Sequence, residues 1–185
     1  MRLILASASP RRAELLRAAG FSFETAVTDV DERPNGDESP SNYVRRLAAE
    51  KSAAALAVVK DPDAIILGAD TTVVVDGEIL AKPADDEESA AMLRRLSGRA
   101  HEVLTGISLR RGAFEIGRVE STTVHVVAMS SDDVAWYVAS GEGRDKAGAY
   151  AIQGLASRFI PRIVGSYSNV VGLPIASVVE LLRDV

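Results

Sequence analysis

A chain of 185 residues with 47% hydrophobic side chains, no cysteine and a formal net charge of −5 is long enough to bury one core without cross-links. The lack of cysteine excludes thiol nucleophiles and Cys-based zinc or iron–sulfur centres, and it makes a reducing cytoplasm the expected compartment. The acidic balance speaks against non-specific nucleic-acid binding, yet it allows a local basic cluster to take a small anion.

Short apolar runs alternate with amphipathic stretches along the chain, the pattern of an α/β protein. Residues 3–6 read as a buried strand. They are too few for the apolar core of a signal peptide, and Arg11 and Arg12 follow at once. A helix is expected over residues 10–19, ended by Gly20, then a strand over 23–27. Ser39 as N-cap and Pro40 in the first turn open a long helix to about Lys60. Residues 64–68 form a strongly apolar strand ending at Asp70, and the strands 72–75 and 78–80 flank Asp76-Gly77, a hairpin turn. A helix over 87–96 is closed by Gly98. Strands follow over 103–110 and 118–128, the second alternating around Thr123, His125 and Val127. Ser130 caps a short helix to Val138. Residues 148–154 form a loop or short strand, 159–164 a strand and 174–183 a closing helix. Strands that arrive both after helices and in hairpins imply a mixed twisted sheet flanked by helices, with two lobes around a cleft in one domain over residues 1–185. No run approaches the roughly 20 apolar residues that a membrane span requires.

Four constellations carry chemistry. In Ser7-Ala8-Ser9-Pro10-Arg11-Arg12, Ser9 and Pro10 suit a helix start, but two arginines in the first turn oppose its partial positive charge. An anion held by backbone N–H groups, the Ser7 hydroxyl and a guanidinium would reconcile them; two solvated arginines are the plainer alternative. Lys51 falls inside the apolar stripe formed by Val44, Leu47, Ala48, Ala55 and Val58. Either its stem packs while the ammonium snorkels to water, or the ammonium points at phosphate oxygens.

The third constellation is Gly68-Ala69-Asp70-Thr71. A carboxylate at a strand's carboxyl end can hold a divalent cation or activate water, or it can merely cap a turn. Lys82-Pro83 returns from the hairpin that follows, and Glu32 in the acidic run 29–32 offers a second carboxylate. The fourth runs from Lys146 to Gly154. Its glycines permit close backbone approach, and Gln153 carries the donor and acceptor that could pair with the O4/N3–H edge of uracil or thymine. A structural turn with an exposed Gln is the competing reading. His101 and His125 have no metal-motif spacing and read as structural or surface residues, and no Walker loop, G-x-S-x-G or H-E-x-x-H occurs.

The segments LASASPRRAELL, GADTTVVVDGEILAKP, LSGRAHEVLTG, DKAGAYAIQG and GSYSNVVGLP, in that order between residues 3 and 174, resemble the Maf family, also called septum formation proteins. The resemblance implies a fold akin to inosine triphosphate pyrophosphatases. It further implies a homodimer and Mg²⁺- or Mn²⁺-dependent hydrolysis of a nucleoside triphosphate between its α and β phosphates. It gives Asp70 the role of proton acceptor, Ser7, Arg11, Arg12, Lys51 and Lys82 phosphate handling, and Glu32 a place in the metal site with Asp70. Arg11, Thr71 and Gln153 match positions tied to substrate choice. The segment AYAIQG is similar to the branch acting on dTTP and UTP, whereas the branch acting on 7-methyl-GTP differs there. Ala81 departs from the glycine that commonly precedes Lys-Pro, which removes no functional group. Two other expectations compete: the same reaction on modified or methylated nucleotides, and a non-catalytic regulator of cell division that binds nucleotide or a partner protein.

Overall fold

Every residue of β1 (Leu3–Ala6) is apolar and buried, which requires cover on both faces of the strand. A computed structural model, describing residues 2–185, places β1 inside a seven-stranded mixed sheet. The sheet also holds β2 (Glu24–Thr25), β3 (Ile65–Val75), β4 (Glu78–Leu80), β5 (Ala100–Arg111), β6 (Phe114–His125) and β7 (Arg162–Val164). The strand order is β2-β1-β3-β5-β6-β7, with β4 paired to β3. β1 pairs in parallel with β2 and β3; β3 with β4, and β6 with β7, are antiparallel.

The helices are α1 (Pro10–Ala18), α2 (Pro40–Val59), α3 (Asp86–Leu96), α4 (Ser131–Ala139), α5 (Tyr167–Val171) and α6 (Ile175–Leu181). Among the described residues no helix is long and apolar enough to cross a membrane. Their starts follow local chemistry. The Ser39 hydroxyl accepts from the Asn42 amide, the Asp85 carboxylate from the Glu88 amide, and Ser130 and Asp133 form a reciprocal capping box. The β3–β4 hairpin turns on Asp76 and Gly77, both at positive φ, as a two-residue hairpin turn demands.

The chain divides into two compact units. The first comprises residues 1–71, 105–120 and 172–185, the second residues 72–104 and 121–171. Each has its own apolar core. The first centres on Leu3, Leu5, Leu16, Leu67, Ile107 and Val178, the second on Val73, Leu93, Val103, Tyr137, Tyr150 and Phe159. In the first unit α2 rests directly on the sheet. A Cβ on Gly68 of β3 would lie 2.2 Å from the Ala48 carbonyl oxygen, and one on Gly106 of β5 would lie 2.2 Å from that of Val44.

Several boundaries differ from those read in the sequence. β2 keeps two of five expected residues. Ile65–Val75 is one strand that continues through Asp70 instead of ending there. Gly-Ala-Asp reads as a break, but these residues stay in the sheet and Asp70 is buried. Asp70 nevertheless lies two residues past Gly68, which pairs with Ala6, the last residue of β1, so the neighbouring strand does end beside it. Residues 159–164 split into a 3₁₀ helix over Leu155–Phe159 and the short β7. Another 3₁₀ turn covers Ala147–Ala149, and α5 has no counterpart in the sequence reading. Val58, assigned to the apolar stripe of α2, is 68% exposed. The buried line runs instead through Val44, Leu47, Ala48, Ser52 and Ala55.

Candidate active site

In the first unit the charged residues of the site lie on α1, on β3, on α2 and in the segment preceding α2. Lys51 stands between the buried positions Ala48, Ser52 and Ala55, so helical phase alone turns its stem inward. Its Nζ reaches Asp70 Oδ1 at 2.7 Å and Glu32 Oε1 at 2.6 Å. Asp70 is only 8% exposed. Burial pushes its carboxyl above the ordinary aspartate range, and the charges of Lys51 and Arg12 oppose that rise. A buried carboxylate with a raised affinity for protons, held against a cation, suits proton transfer.

Glu32 is delivered by a segment with no helix or strand. Two residues of α2 hold that segment. The Tyr43 hydroxyl donates to the Glu32 carbonyl at 2.9 Å, and Arg46 donates to the Arg33 carbonyl at 3.1 Å while pairing with Glu38. Burial and the nearby Asp70 and Glu32 charges push the Tyr43 phenol up to about 12, so it remains a neutral donor. Neither Tyr43 nor Arg46 stood out in the sequence. Their spacing of three residues on one helix, opposite an acidic stretch, was the available signal.

Arg12 is buried beside this pair. Its Nε donates to the Gly172 carbonyl at 2.8 Å, one terminal nitrogen to Ser7 Oγ at 3.1 Å and the other to Thr71 Oγ1 at 3.0 Å. Thr71 Oγ1 also lies 2.9 Å from Thr105 Oγ1 and 3.2 Å from the Gly172 carbonyl oxygen. If Thr105 donates to Thr71 and Thr71 to Gly172, every Thr71 contact is satisfied at once. Desolvation lowers the Arg12 pKa while the Asp70 charge raises it. Ser7 Oγ accepts from the Ser9 amide at 3.2 Å, and Ser9 makes no side-chain cap to α1, whose first turn carries no acid. Arg11 is partly exposed in that turn. The first unit therefore joins Glu32, Lys51 and Asp70 in one cluster and Ser7, Arg12 and Thr71 in another.

Lys82 and Gln153 belong to the second unit, and both are exposed. The Gly148 amide donates to the carbonyl of Ala81 at 3.2 Å, tying the start of the Gln153 segment to the residue before Lys82. His101 is buried, with Nε2 2.8 Å from the Tyr150 hydroxyl, and desolvation lowers its pKa to about 4. It is a neutral core residue.

No group of three or more His, Cys, Asp or Glu residues fit to hold a metal occurs among the described residues. The donors that converge are two carboxylates, and a single ammonium already satisfies both. Those two carboxylates are the side chains that would hold a hard divalent ion, with substrate phosphates and water supplying its other ligands.

Fold and charge together define the class: a mixed α/β protein with a buried carboxylate–cation cluster and an arginine-bearing helix start suited to a phosphorylated ligand. The family model described as Maf-like protein matches residues 2–185, and the chain belongs to that family. A dTTP/UTP pyrophosphatase of Symbiobacterium thermophilum is 53% identical over 98% of this chain and 93% of its own length. One from Shewanella oneidensis is 47% identical over 100% and 98%. Among solved structures, the Staphylococcus aureus Ham1 protein is similar at 17% identity and a TM-score of 0.49, over 68% of this chain and 72% of that one.

Proposed function

We propose that this chain hydrolyses dTTP and UTP to the monophosphate and pyrophosphate, removing them from the nucleotide pool. The observation that carries the reading is the buried Asp70 carboxylate held 2.7 Å from the Lys51 ammonium, which also meets Glu32. Relatives named dTTP/UTP pyrophosphatase, about half identical over nearly the whole chain, support the choice of reaction and substrate.

In this reading Asp70 takes a proton from water as the water oxygen bonds to the α-phosphorus. The bond from that phosphorus to the α–β bridging oxygen breaks, and pyrophosphate leaves with the electron pair. Asp70 then returns its proton to solvent. Lys51, Arg11 and Lys82 offset charge on the phosphates, and Ser7 and Arg12 fix the end of β1 and the start of α1. Mg²⁺ or Mn²⁺ held by Glu32 and Asp70 would supply charge neutralisation at the phosphate oxygens. Gln153 pairs with the O4/N3–H edge of the base, and Thr71 and Arg11 contribute to substrate choice. A cytoplasmic setting is supported by the lack of cysteine, and a homodimer by the family likeness alone.

The test is turnover of dTTP, UTP, CTP, ATP, GTP and 7-methyl-GTP with Mg²⁺ or Mn²⁺, with pyrophosphate and orthophosphate detected separately. Pyrophosphate mainly from dTTP and UTP is expected. Pyrophosphate mainly from 7-methyl-GTP would keep the chemistry and discard the base assignment. Binding without turnover would replace the enzyme with a nucleotide-dependent regulator.

A further inference from the structure

The segment that presents Gln153 has little regular structure of its own, so other groups must fix it. Residues 151–154 form turns between Tyr150 and the 3₁₀ helix Leu155–Phe159. Two side chains from the α4 region hold it from both sides. The Tyr137 hydroxyl accepts from the Ala151 amide at 3.0 Å and donates to Glu142 Oε2 at 2.7 Å. Glu142 Oε1 accepts from the Leu155 amide at 2.9 Å, and Oε2 from the Ala156 amide at 3.4 Å. The carboxylate thus takes the unpaired donors of the 3₁₀ helix start, as a cap does, but from a remote position in sequence.

A side chain at position 154 would displace the carboxylate that closes this clamp. A Cβ on Gly154 would lie 1.9 Å from Glu142 Oε1, so the carboxylate rests against the backbone immediately after Gln153. Ile152 is buried on the other side. Tyr137 is 1% exposed, and burial with the adjacent Glu142 raises its pKa, so the phenol stays protonated and keeps its donor. The backbone is held at Ala151 before Gln153 and at Gly154, Leu155 and Ala156 after it, while the Gln153 side chain is exposed.

We infer that Tyr137 and Glu142 are positioning residues for Gln153, and through it for selection of the uracil or thymine edge. The inference rests on the base-reading role of Gln153 proposed above. A hydrogen-bonded readout discriminates only while its partner is held still, because a displaced donor–acceptor pair accepts other bases through water or a changed rotamer. Truncating Glu142 frees two amides and the Tyr137 hydroxyl together. The loop then relaxes without loss of any group that handles phosphate.

The experiment measures kcat/KM for dTTP and CTP in the wild type, Glu142→Ala, Glu142→Gln, Tyr137→Phe and Gln153→Ala. A ratio between two nucleotides cancels any change in the folded fraction, so a merely structural role leaves it unmoved. Glu142→Ala is expected to reduce the dTTP-over-CTP ratio by about 10-fold, the scale of one or two lost hydrogen bonds. Glu142→Gln should recover part of it by keeping an acceptor. Tyr137→Phe, which removes a single oxygen, serves if Glu142→Ala does not fold, and should also lower the ratio. Faster amide exchange at Leu155 and Ala156 should accompany the loss in Glu142→Ala. If Gln153→Ala lowers the ratio while the Glu142 and Tyr137 variants leave it unchanged, the positioning role is overturned and the base reading stands. If Gln153→Ala leaves it unchanged, the base reading fails and takes the inference with it.

Discussion

The two units bury polar groups in opposite ways. The first buries charge: Arg12 and Asp70 are both desolvated, and each is held by partners from distant parts of the chain. The second keeps the buried groups of its core neutral: His101 against Tyr150, and Tyr137 against the loop at Ala151. Buried charge is costly unless it is paired, so a region that carries it has a use for a strong field. A neutral core, with the Glu142 carboxylate taken up by the Tyr137 hydroxyl and the loop amides, offers direction with little free field, which in the proposed reading suits an uncharged base. In the proposed reading most of the phosphate handling falls to the first unit and base recognition by Gln153 to the second, with Lys82 and Thr71 as exceptions.

The comparison breaks most sharply at Asp70. Asp70→Asn keeps shape and removes the base, and turnover should fall by about 10²–10⁴-fold while the circular dichroism spectrum is unchanged. Near-normal turnover at saturating metal would remove Asp70 from the chemistry. Arg12→Ala should lower unfolding stability by about 3 kcal/mol, because it strips a buried guanidinium from Ser7, Thr71 and the Gly172 carbonyl. Urea midpoints at constant m-value would read this directly.

His101 sharpens the contrast from the other side. Its folded pKa of about 4 lies below the ordinary value of 6.5, so the unfolded chain binds the proton more readily. The stability it contributes is whole above pH 6.5 and is lost as pH falls toward 4. Between about pH 7.5 and about pH 4.5 the loss amounts to about 2 kcal/mol, and His101→Gln should flatten that part of the stability–pH curve. The smallest effect belongs to a residue outside both networks. Val58→Lys on the exposed side of α2 should change stability by less than about 0.5 kcal/mol, whereas a larger loss would restore Val58 to the core.

Much of the first unit was legible in sequence because periodicity carries it. Lys51 interrupts an apolar stripe of period 3.6, and Asp70 interrupts an apolar strand; both anomalies mark the site. The end of β3 was misread because Gly68 looks like punctuation until α2 is laid on top of it. Glu32 could be named, but its anchoring by Tyr43 and Arg46 could not, since an irregular segment has no period from which to infer its neighbours. The same holds for Gln153. Glu142 sits eleven positions earlier in an unremarkable Ser-Gly-Glu-Gly run, and only the folded chain reveals its contact with the amides of Leu155 and Ala156.

The two glycines beneath α2 act as a keyway. Gly68 and Gly106 stand on neighbouring strands and receive the carbonyls of Ala48 and Val44, one helical turn apart. A cylinder seated at two points along its length can neither roll nor slide. That matters three residues beyond Ala48, where a modest roll would swing the Lys51 ammonium away from both carboxylates. A methyl group at either glycine would not thin the interface gradually; it would lift the helix from its seat. The alignment of charge in the site is thus set by the absence of two side chains that never touch it.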